Sequence, residues 1–154
     1  MPLDQSFIGR EYPPTEPYEV GREKIREFAD AIKDSSPVHR DAEAARSAGH
    51  PDVIAPPTFA VILSMGAHHA VVADTALGLD YSKVVHGNQR FTHHRPIRAG
   101  DVLRTQVIVE DITARAGNDF LTVRAEITTV DGEPVCTALS TLVARGTAEQ
   151  GEQA

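Results

Sequence analysis

The spacing of apolar residues divides the chain into a helical half and a strand half. In the first half, Ile25, Phe28 and Ile32 recur at helical intervals, which predicts a helix over 21–33. From residue 84 onwards the period changes to two, which indicates strands that are buried on one face. The pattern predicts four strands, over 84–94, 102–112, 120–130 and 134–144, with a shorter strand at 18–20 and a short helix at 42–48.

A second long helix, from Pro56 to about Val72, is apolar on almost every face in its first half. Proline suits a first helical turn because its missing N–H has no intrahelical partner to lose. A helix that is apolar nearly all round is a buried helix. The turn signals Gly117-Asn118 and Asp131-Gly132 join neighbouring strands into an antiparallel meander. Together these elements predict an α+β architecture in which a curved sheet wraps the buried helix, the hot-dog fold.

The composition is that of one ordinary globular domain. Of the 154 residues, 41% are hydrophobic and 24% are charged, and we expect a single domain over 1–146 followed by a disordered tail at 147–154. The net charge of -7 argues against nucleic acid or a membrane surface as a partner. No apolar run approaches the ~18 residues of a membrane span, and the N-terminus lacks the pattern of a signal peptide. Cys136 is alone, so no internal disulfide forms, and a cytoplasmic location is expected.

The strongest chemical signal is the segment Asp34-Ser35-Ser36-Pro37-Val38-His39. Pro37 cannot donate a backbone hydrogen bond, and it biases Ser36 away from helical geometry. The preceding helix should therefore end near Asp34, and His39 should return in an irregular loop that aims both side chains at one point. A carboxyl and an imidazole are suited to general acid–base catalysis near neutral pH. The alternative is that Asp34 only ends a helix and His39 lies on a surface loop.

The remaining histidines do not indicate a metal site. His93 and His94 are adjacent on a predicted strand and should point to opposite faces. His68 and His69 have no helical i,i+4 partner, and no HExxH or Cys/His spacing exists. The sequence therefore predicts no metal.

A basic cluster stands out in this acidic chain. Such residues usually form a solvated face, but they could also contact an anionic ligand or an acidic protein surface. The cluster consists of Arg90, Arg95, Arg98 and Arg104.

Two motifs in this order resemble the MaoC-like dehydratase family, also called the (R)-specific enoyl hydratase family. The first is Phe28 followed by the segment from Asp34 to His39, with Ser36 where the family usually has Asn. The second runs from Phe91 through Pro96-Ile97 to Gly100-Asp101. The resemblance covers roughly residues 5–145. It is strongest to a single-domain actinobacterial branch that is similar to mycobacterial (3R)-hydroxyacyl-carrier-protein dehydratase subunits, through Ile8-Gly9-Arg10, Arg22 to Phe28 and Ala55 to Phe59.

The resemblance implies reversible dehydration of (R)-3-hydroxyacyl thioesters, or hydration of 2-enoyl thioesters, with no cofactor. It implies that Asp34 and His39 hold the reacting water, without assigning which of them serves the α carbon, and that Ser36 supports the Asp34 loop. The family uses a backbone N–H at the start of the central helix for the thioester oxygen. Here that position is Pro57, which has no N–H. Three alternatives remain: the Thr58 N–H donates to the thioester oxygen, a neighbouring group donates in its place, or the oxyanion site is weak. Beside the central helix, the acyl chain is expected to contact Phe59, Ile62 and Leu63.

The exposed sheet edge and helix flank of one small hot-dog unit predict a dimer, either with a second copy or with a related hot-dog subunit. The substrate would be an acyl-CoA or an acyl carrier protein thioester. Arg90, Arg95 and Arg98 could then contact the phosphates of coenzyme A or the acidic surface of the carrier protein. Two other functions remain open. Some members of the branch have lost the Asp/His pair and act as non-catalytic acyl-binding partners, although this chain keeps the pair. A thioesterase on the same fold is the other alternative.

Overall fold

The computed structural model describes residues 2–148, which form five antiparallel strands in one sheet and three α-helices. The strand order is β1-β3-β4-β5-β2, so β1 and β2 are the edge strands of the sheet. All four long strands predicted from the alternation are present, and β3 and β4 extend slightly further than expected. The strands are β1 (Tyr18–Glu19), β2 (Val84–His93), β3 (Val102–Arg115), β4 (Asn118–Thr129) and β5 (Pro134–Ala144).

The sheet is curved because its longest strands are kinked by bulges. The pairing of β3 with β4 shifts register between Val109 and Asp111, and the pairing of β2 with β5 shifts between His86 and Asn88. A bulge bends a strand and increases its twist. Along β4, buried and half-buried residues alternate almost without interruption, so one face of the sheet is turned to the core.

The helices are α1 (Arg22–Ala31), α2 (Ala42–Ser47) and α3 (Ala60–Ala73). The predicted long helix begins differently from expected. Residues Pro57–Phe59 form a 3-10 turn in which the Phe59 N–H donates to the Pro56 carbonyl at 2.9 Å, and the α-helix starts only at Ala60. No helix among the described residues is long and apolar enough to cross a bilayer.

Helix α3 lies against the inner face of β3, β4 and β5, which confirms the predicted α+β hot-dog architecture. The expectation that α3 is buried all round is wrong for one face. Met65, Gly66, His69 and Ala70 are exposed, because a single curved sheet covers only one side of the helix. The covered side consists of Ala60, Leu63, Ser64, Ala67, His68 and Val71.

The core has two parts, one at each end of α3. Near the start of α3, Phe59 packs with Ile25 of α1 and with Ile127 of β4. Near its end, Val71 packs with Phe7 and with apolar residues of β3 to β5. Thr147 is buried and its hydroxyl donates to Asp119 Oδ2 at 2.5 Å, so the packed chain continues one residue past the predicted domain end at 146. Residues 149–154 of the predicted tail lie outside the described residues.

Candidate functional site

Asp34 and His39 converge, as their spacing predicts: His39 Nε2 lies 3.1 Å from Asp34 Oδ2. The end of α1 places the carboxylate. Lys33 adopts a left-handed conformation with φ of 60°, and the Asp34 N–H donates to the Ala29 carbonyl at 2.8 Å. This closure is a common way to end a helix. The helix therefore ends at Ala31, slightly earlier than the effect of Pro37 alone would place its end.

The turn between the two side chains is fixed by the backbone of Ser36. Its N–H donates to Asp34 Oδ1 at 3.0 Å, and its carbonyl accepts from the His39 N–H at 3.2 Å. Pro37 opens the 3-10 turn Pro37–His39, where its missing N–H costs nothing. Ser36 thus supports the Asp34 loop through its main chain.

The His39 ring is buried and held at both nitrogens. Its Nδ1 lies 2.6 Å from the Ile54 carbonyl, which only accepts, so Nδ1 carries a hydrogen. A hydrogen bond between Nε2 and Asp34 then needs one further proton, on either the ring or the carboxyl. The Ser36 N–H lowers the pKa of Asp34, and the nearby His39 ring lowers it further, while partial burial opposes both. The carboxylate form of Asp34 is therefore favoured.

Arg40 is a residue of this site that the motif does not reveal. Its guanidinium donates to Asp30 Oδ1 at 2.6 Å and to the Asp34 carbonyl oxygen, so it ties the loop back to α1. In the sequence, only its position directly after His39 points to this role. The contact with Asp30 depends on how the loop folds back, which the sequence does not show.

The two predicted motifs meet at one cavity of about 520 Å³, which we call the His39 cavity. His39 and Ile54 form one side, and Pro57 lies at the start of the central helix. The segment from His93 to Ile97, part of the second motif, forms the opposite wall. An imidazole in contact with a carboxylate therefore faces a cavity large enough for a small ligand.

The start of the central helix departs from the expected oxyanion geometry. His93 Nε2 lies 2.8 Å from the Pro57 carbonyl oxygen and donates to it. Because the C=O and N–H of one trans peptide point in opposite directions, the Thr58 N–H points away from His93. The Phe59 N–H is already used by Pro56, which leaves the Thr58 N–H as the first donor of this end. An oxygen bound by Thr58 would therefore lie on the side of the turn opposite His93.

The residues predicted to shape the acyl chain site are not placed around this cavity. Phe59 is fully buried and packs edge-on against Phe28, with ring centroids 5.5 Å apart. Leu63 is buried in the same core, and Ile62 is half-buried against it. Phe59 and Leu63 are therefore enclosed in the core near the start of α3, and Ile62 lies at its margin.

The predicted basic cluster is divided. Arg95 is held inside the protein: its guanidinium makes two 2.9 Å hydrogen bonds to Asp101 and one of 2.8 Å to Glu133. Hydrogen bonds to Asp101 raise the pKa of Arg95. Its charge is therefore already neutralised by two carboxylates. Arg90 is exposed and Arg98 is half-buried, so these two remain candidates for contact with a carrier.

A second cavity, of about 440 Å³, lies beside the exposed face of α3 and the start of β2. We call it the His68 cavity. His68 is 3% exposed, and neither of its ring nitrogens has a hydrogen-bond partner among the described residues. Burial, with smaller contributions from the nearby His86 and His69, lowers the pKa of His68 to about 4. Its ring is therefore neutral at physiological pH.

The buried His68 ring predicts a pH-dependent stability. Its pKa of about 4 in the folded protein lies below the ordinary value of 6.5 that the unfolded chain restores. Between those values the unfolded chain binds the extra proton, so the free energy of unfolding falls as pH drops from about 6.5 to about 4, by roughly 3 kcal/mol. Urea unfolding across this range should show a shallower decline for His68→Leu. His94→Gln, at an exposed histidine, is the control. Parallel curves for wild type and His68→Leu would contradict the prediction.

Comparisons with known proteins agree with the fold and the motifs. Residues 6–138 match the profile of a family described as FAS1-like, dehydratase domain region. A relative from Saccharopolyspora erythraea, named UPF0336 protein, is 80% identical over 152 residues, which are 99% of this chain and 97% of that protein.

Two solved structures share both the fold and about a third of the sequence. A MaoC-like dehydratase superposes with a TM-score of 0.85 at 36% identity, over 92% of this chain and 43% of that one, so this chain spans less than half of that longer protein. A C-terminally truncated HadBC (3R-hydroxyacyl-ACP dehydratase) complex from Mycobacterium tuberculosis superposes with a TM-score of 0.76 at 35% identity, over 89% of this chain and 96% of that one.

Proposed function

This chain belongs to the FAS1-like dehydratase domain region family, and from that membership we propose that it catalyses the reversible dehydration of (R)-3-hydroxyacyl thioesters. The reverse reaction is the hydration of 2-enoyl thioesters. The observation that carries the proposal is the chain of contacts from Asp34 through His39 to the Ile54 carbonyl, at the edge of a cavity.

The proton inventory of the pair matches this reaction. Hydration takes one proton from water as the oxygen bonds to the β carbon, and it delivers one proton to the α carbon. The protein therefore needs one basic position and one proton in the same place, and it ends the cycle with the same number of protons. A carboxylate and an imidazole that share a single proton meet both needs. Because Asp34 and His39 touch directly, the reacting water binds beside the pair, in contact with both groups.

The thioester carbonyl becomes enolate-like in the transition state, and a donor must stabilise its oxygen. The Thr58 N–H at the start of the central helix is the donor that we propose. The Thr58 N–H lies at the positive end of the helix dipole, which favours a developing negative charge.

We propose that the acyl-CoA or acyl carrier protein reaches the His39 cavity from outside, with Arg90 and Arg98 near the carrier.

We propose that a second hot-dog subunit covers the exposed face of α3 and the free edge of β2. The HadBC complex, 35% identical to this chain, supports a partner of the same fold. The unpaired edge of β2 is ten residues long and is suited to pairing with another strand. Both a second copy and a related subunit satisfy this geometry. The reducing environment expected from the lone Cys136 fits a cytoplasmic enzyme.

The test is to assay the purified full chain alone on crotonyl-CoA. Loss of the enoyl absorbance without thiol release is the expected result, with a turnover in the ordinary enzyme range of about 1–10³ s⁻¹. Thiol release without loss of the double bond would instead indicate a thioesterase. Protein that is inert alone, and that adds no activity dependent on its own Asp34 when a related hot-dog subunit is present, would contradict the proposal.

One observation favours a second function, that of a non-catalytic acyl-binding subunit. Pro57 replaces the usual oxyanion donor, and the N–H that follows it points away from His93. In that case this chain would be inert by itself. Adding it to a related catalytic subunit would raise the activity, and that activity would depend only on the Asp/His pair of the related subunit. Asp34→Asn in this chain would then leave the activity of the complex unchanged.

A further inference from the structure

The start of the central helix is not capped by a side chain of its own. Neither the 3-10 turn Pro57–Phe59 nor α3 has a side-chain hydrogen bond from its N-cap residue. Within residues 2–148, the His93 ring supplies the side-chain hydrogen bond to this stretch of backbone, from Nε2 to the Pro57 carbonyl oxygen at 2.8 Å. The two residues are 36 positions apart in sequence, so this bond joins the sheet to the start of the helix.

His93 is itself firmly held. It is the last residue of β2, where it pairs with Cys136 of β5, and the N–H of the next residue donates to the Val135 carbonyl at 2.9 Å. Its ring lies beside that of Phe91, with the centroids 6.2 Å apart. Because the Pro57 carbonyl only accepts, Nε2 of His93 carries a hydrogen. A donor mounted on the sheet therefore fixes the position of the Pro57 oxygen.

This bond also acts on the amide that follows. The C=O of Pro57 and the N–H of Thr58 belong to one planar peptide, so fixing the oxygen fixes the direction of the N–H. Hydrogen bonds in a chain polarise one another, and a donor on the carbonyl makes the N–H of the same peptide a stronger donor. His93 therefore controls both the direction and the strength of the Thr58 donor.

We propose that His93 is a positioning residue for the thioester oxygen, because it aims and polarises the Thr58 N–H. This inference rests on the function proposed above, in which Thr58 donates to that oxygen, and it requires no contact between the His93 ring and the substrate. Pro57 offers no N–H, and the Phe59 N–H is already used by Pro56. One amide of the turn is left for the oxygen, so an error in its direction would not be compensated by a neighbouring donor.

The test compares His93→Gln with His93→Asn. The Gln amide reaches about as far as Nε2 and retains the bond to Pro57, whereas the shorter Asn amide ends near the position of Nδ1 and loses it. In ligand-free protein labelled with ¹⁵N-threonine, the amide signal absent from Thr58→Ser identifies Thr58. We expect this signal to move in His93→Asn and to stay near its wild-type position in His93→Gln.

Turnover of crotonyl-CoA gives the second measurement. We expect His93→Asn to lower kcat by about 10–10²-fold with KM within about threefold of wild type, because the lost interaction acts on the transition state. His93→Gln should keep kcat within about threefold of wild type. Both variants lose the packing of the ring, so a purely structural role would affect them alike.

An unmoved Thr58 signal in His93→Asn would overturn the proposal, as would equal kcat values for the two variants. A rise in KM at unchanged kcat would also overturn it, because His93 would then act on the bound substrate directly. If His93→Asn does not fold, ¹⁵N-histidine spectra of the wild type decide, with His93 identified by the signals absent from His93→Gln. A hydrogen on Nδ1 alone is incompatible with the bond to Pro57. The amide spectra need no turnover, so an inert wild type would contradict the proposed function while the Thr58 signal still tests the bond.

Discussion

Asp34→Asn is expected to lower kcat for crotonyl-CoA hydration by about 10²–10⁴-fold, the usual contribution of a positioned acid or base. The amide keeps an oxygen that accepts the Ser36 N–H, so the turn retains its shape. It removes the carboxylate that contacts His39 Nε2, which leaves the site with no basic oxygen beside the ring. Steady-state kinetics with wild type and variant measure the loss.

His39→Gln should produce a loss of similar size, because the ring is the other half of the same proton pair. The double variant should lose scarcely more than either single variant, since residues that act as a unit have strongly non-additive effects. Additive losses would show that Asp34 and His39 act in separate steps, and would contradict a shared proton.

The matched control is Asp30→Asn. Asp30 is an exposed carboxylate one helical turn earlier, and it pairs with Arg40 at 2.6 Å without contacting His39. Its activity should remain within about twofold of wild type. If Asp34→Asn and Asp30→Asn have the same small effect on an active wild-type protein, the assignment of Asp34 to the chemistry is wrong.

The elements that sequence predicts well here are those fixed by local physics. Alternation over β3, β4 and β5 reports a sheet with one buried face, and that signal requires no knowledge of the rest of the chain. The convergence of Asp34 and His39 is also local, because a proline-containing segment of six residues has few ways to fold. The exact end of α1 is not predicted by local sequence. Lys33 adopts a left-handed conformation there, and its side chain gives no indication of that conformation.

The features that the sequence does not reveal depend on tertiary contacts. An apolar helix predicts burial, but whether one sheet or two subunits cover it cannot be read from α3 alone, and its exposed face is seen only in the folded chain. Arg95 looks like a surface cation until the loop that follows it places Asp101 against it. His68 likewise reads as one of several scattered histidines, until the fold shows its ring buried with no hydrogen-bond partner within residues 2–148. In each case the role of the residue or helix depends on the tertiary contacts that it makes.

The Arg95–Asp101 pair gives the largest expected effect on stability. The Asp101 side chain is 7% exposed and accepts two hydrogen bonds from Arg95 and one from the Arg98 N–H, each at 2.9 Å. These bonds close the loop from residue 95 to 101, which forms a wall of the His39 cavity. Asp101→Asn would leave the half-buried guanidinium facing an amide N–H₂ group, with Glu133 as its remaining carboxylate partner. Removing one partner of a buried pair costs about 3–5 kcal/mol, and because Glu133 remains we expect a loss near the lower end of that range.

The chain contains a matched control for this substitution, because Arg22 and Asp52 form a second bidentate pair in solvent. Asp52 accepts two bonds from Arg22, at 3.0 and 2.7 Å, and one from the adjacent Val53 N–H. The Arg22 side chain is 59% exposed, against 15% for Arg95. Water therefore screens the outer pair, and Asp52→Asn should cost no more than about 1 kcal/mol. Urea unfolding of the two variants at neutral pH measures both losses. Equal losses would mean that burial is not what makes the Arg95–Asp101 pair important, and that the loop is held mainly by its backbone contacts.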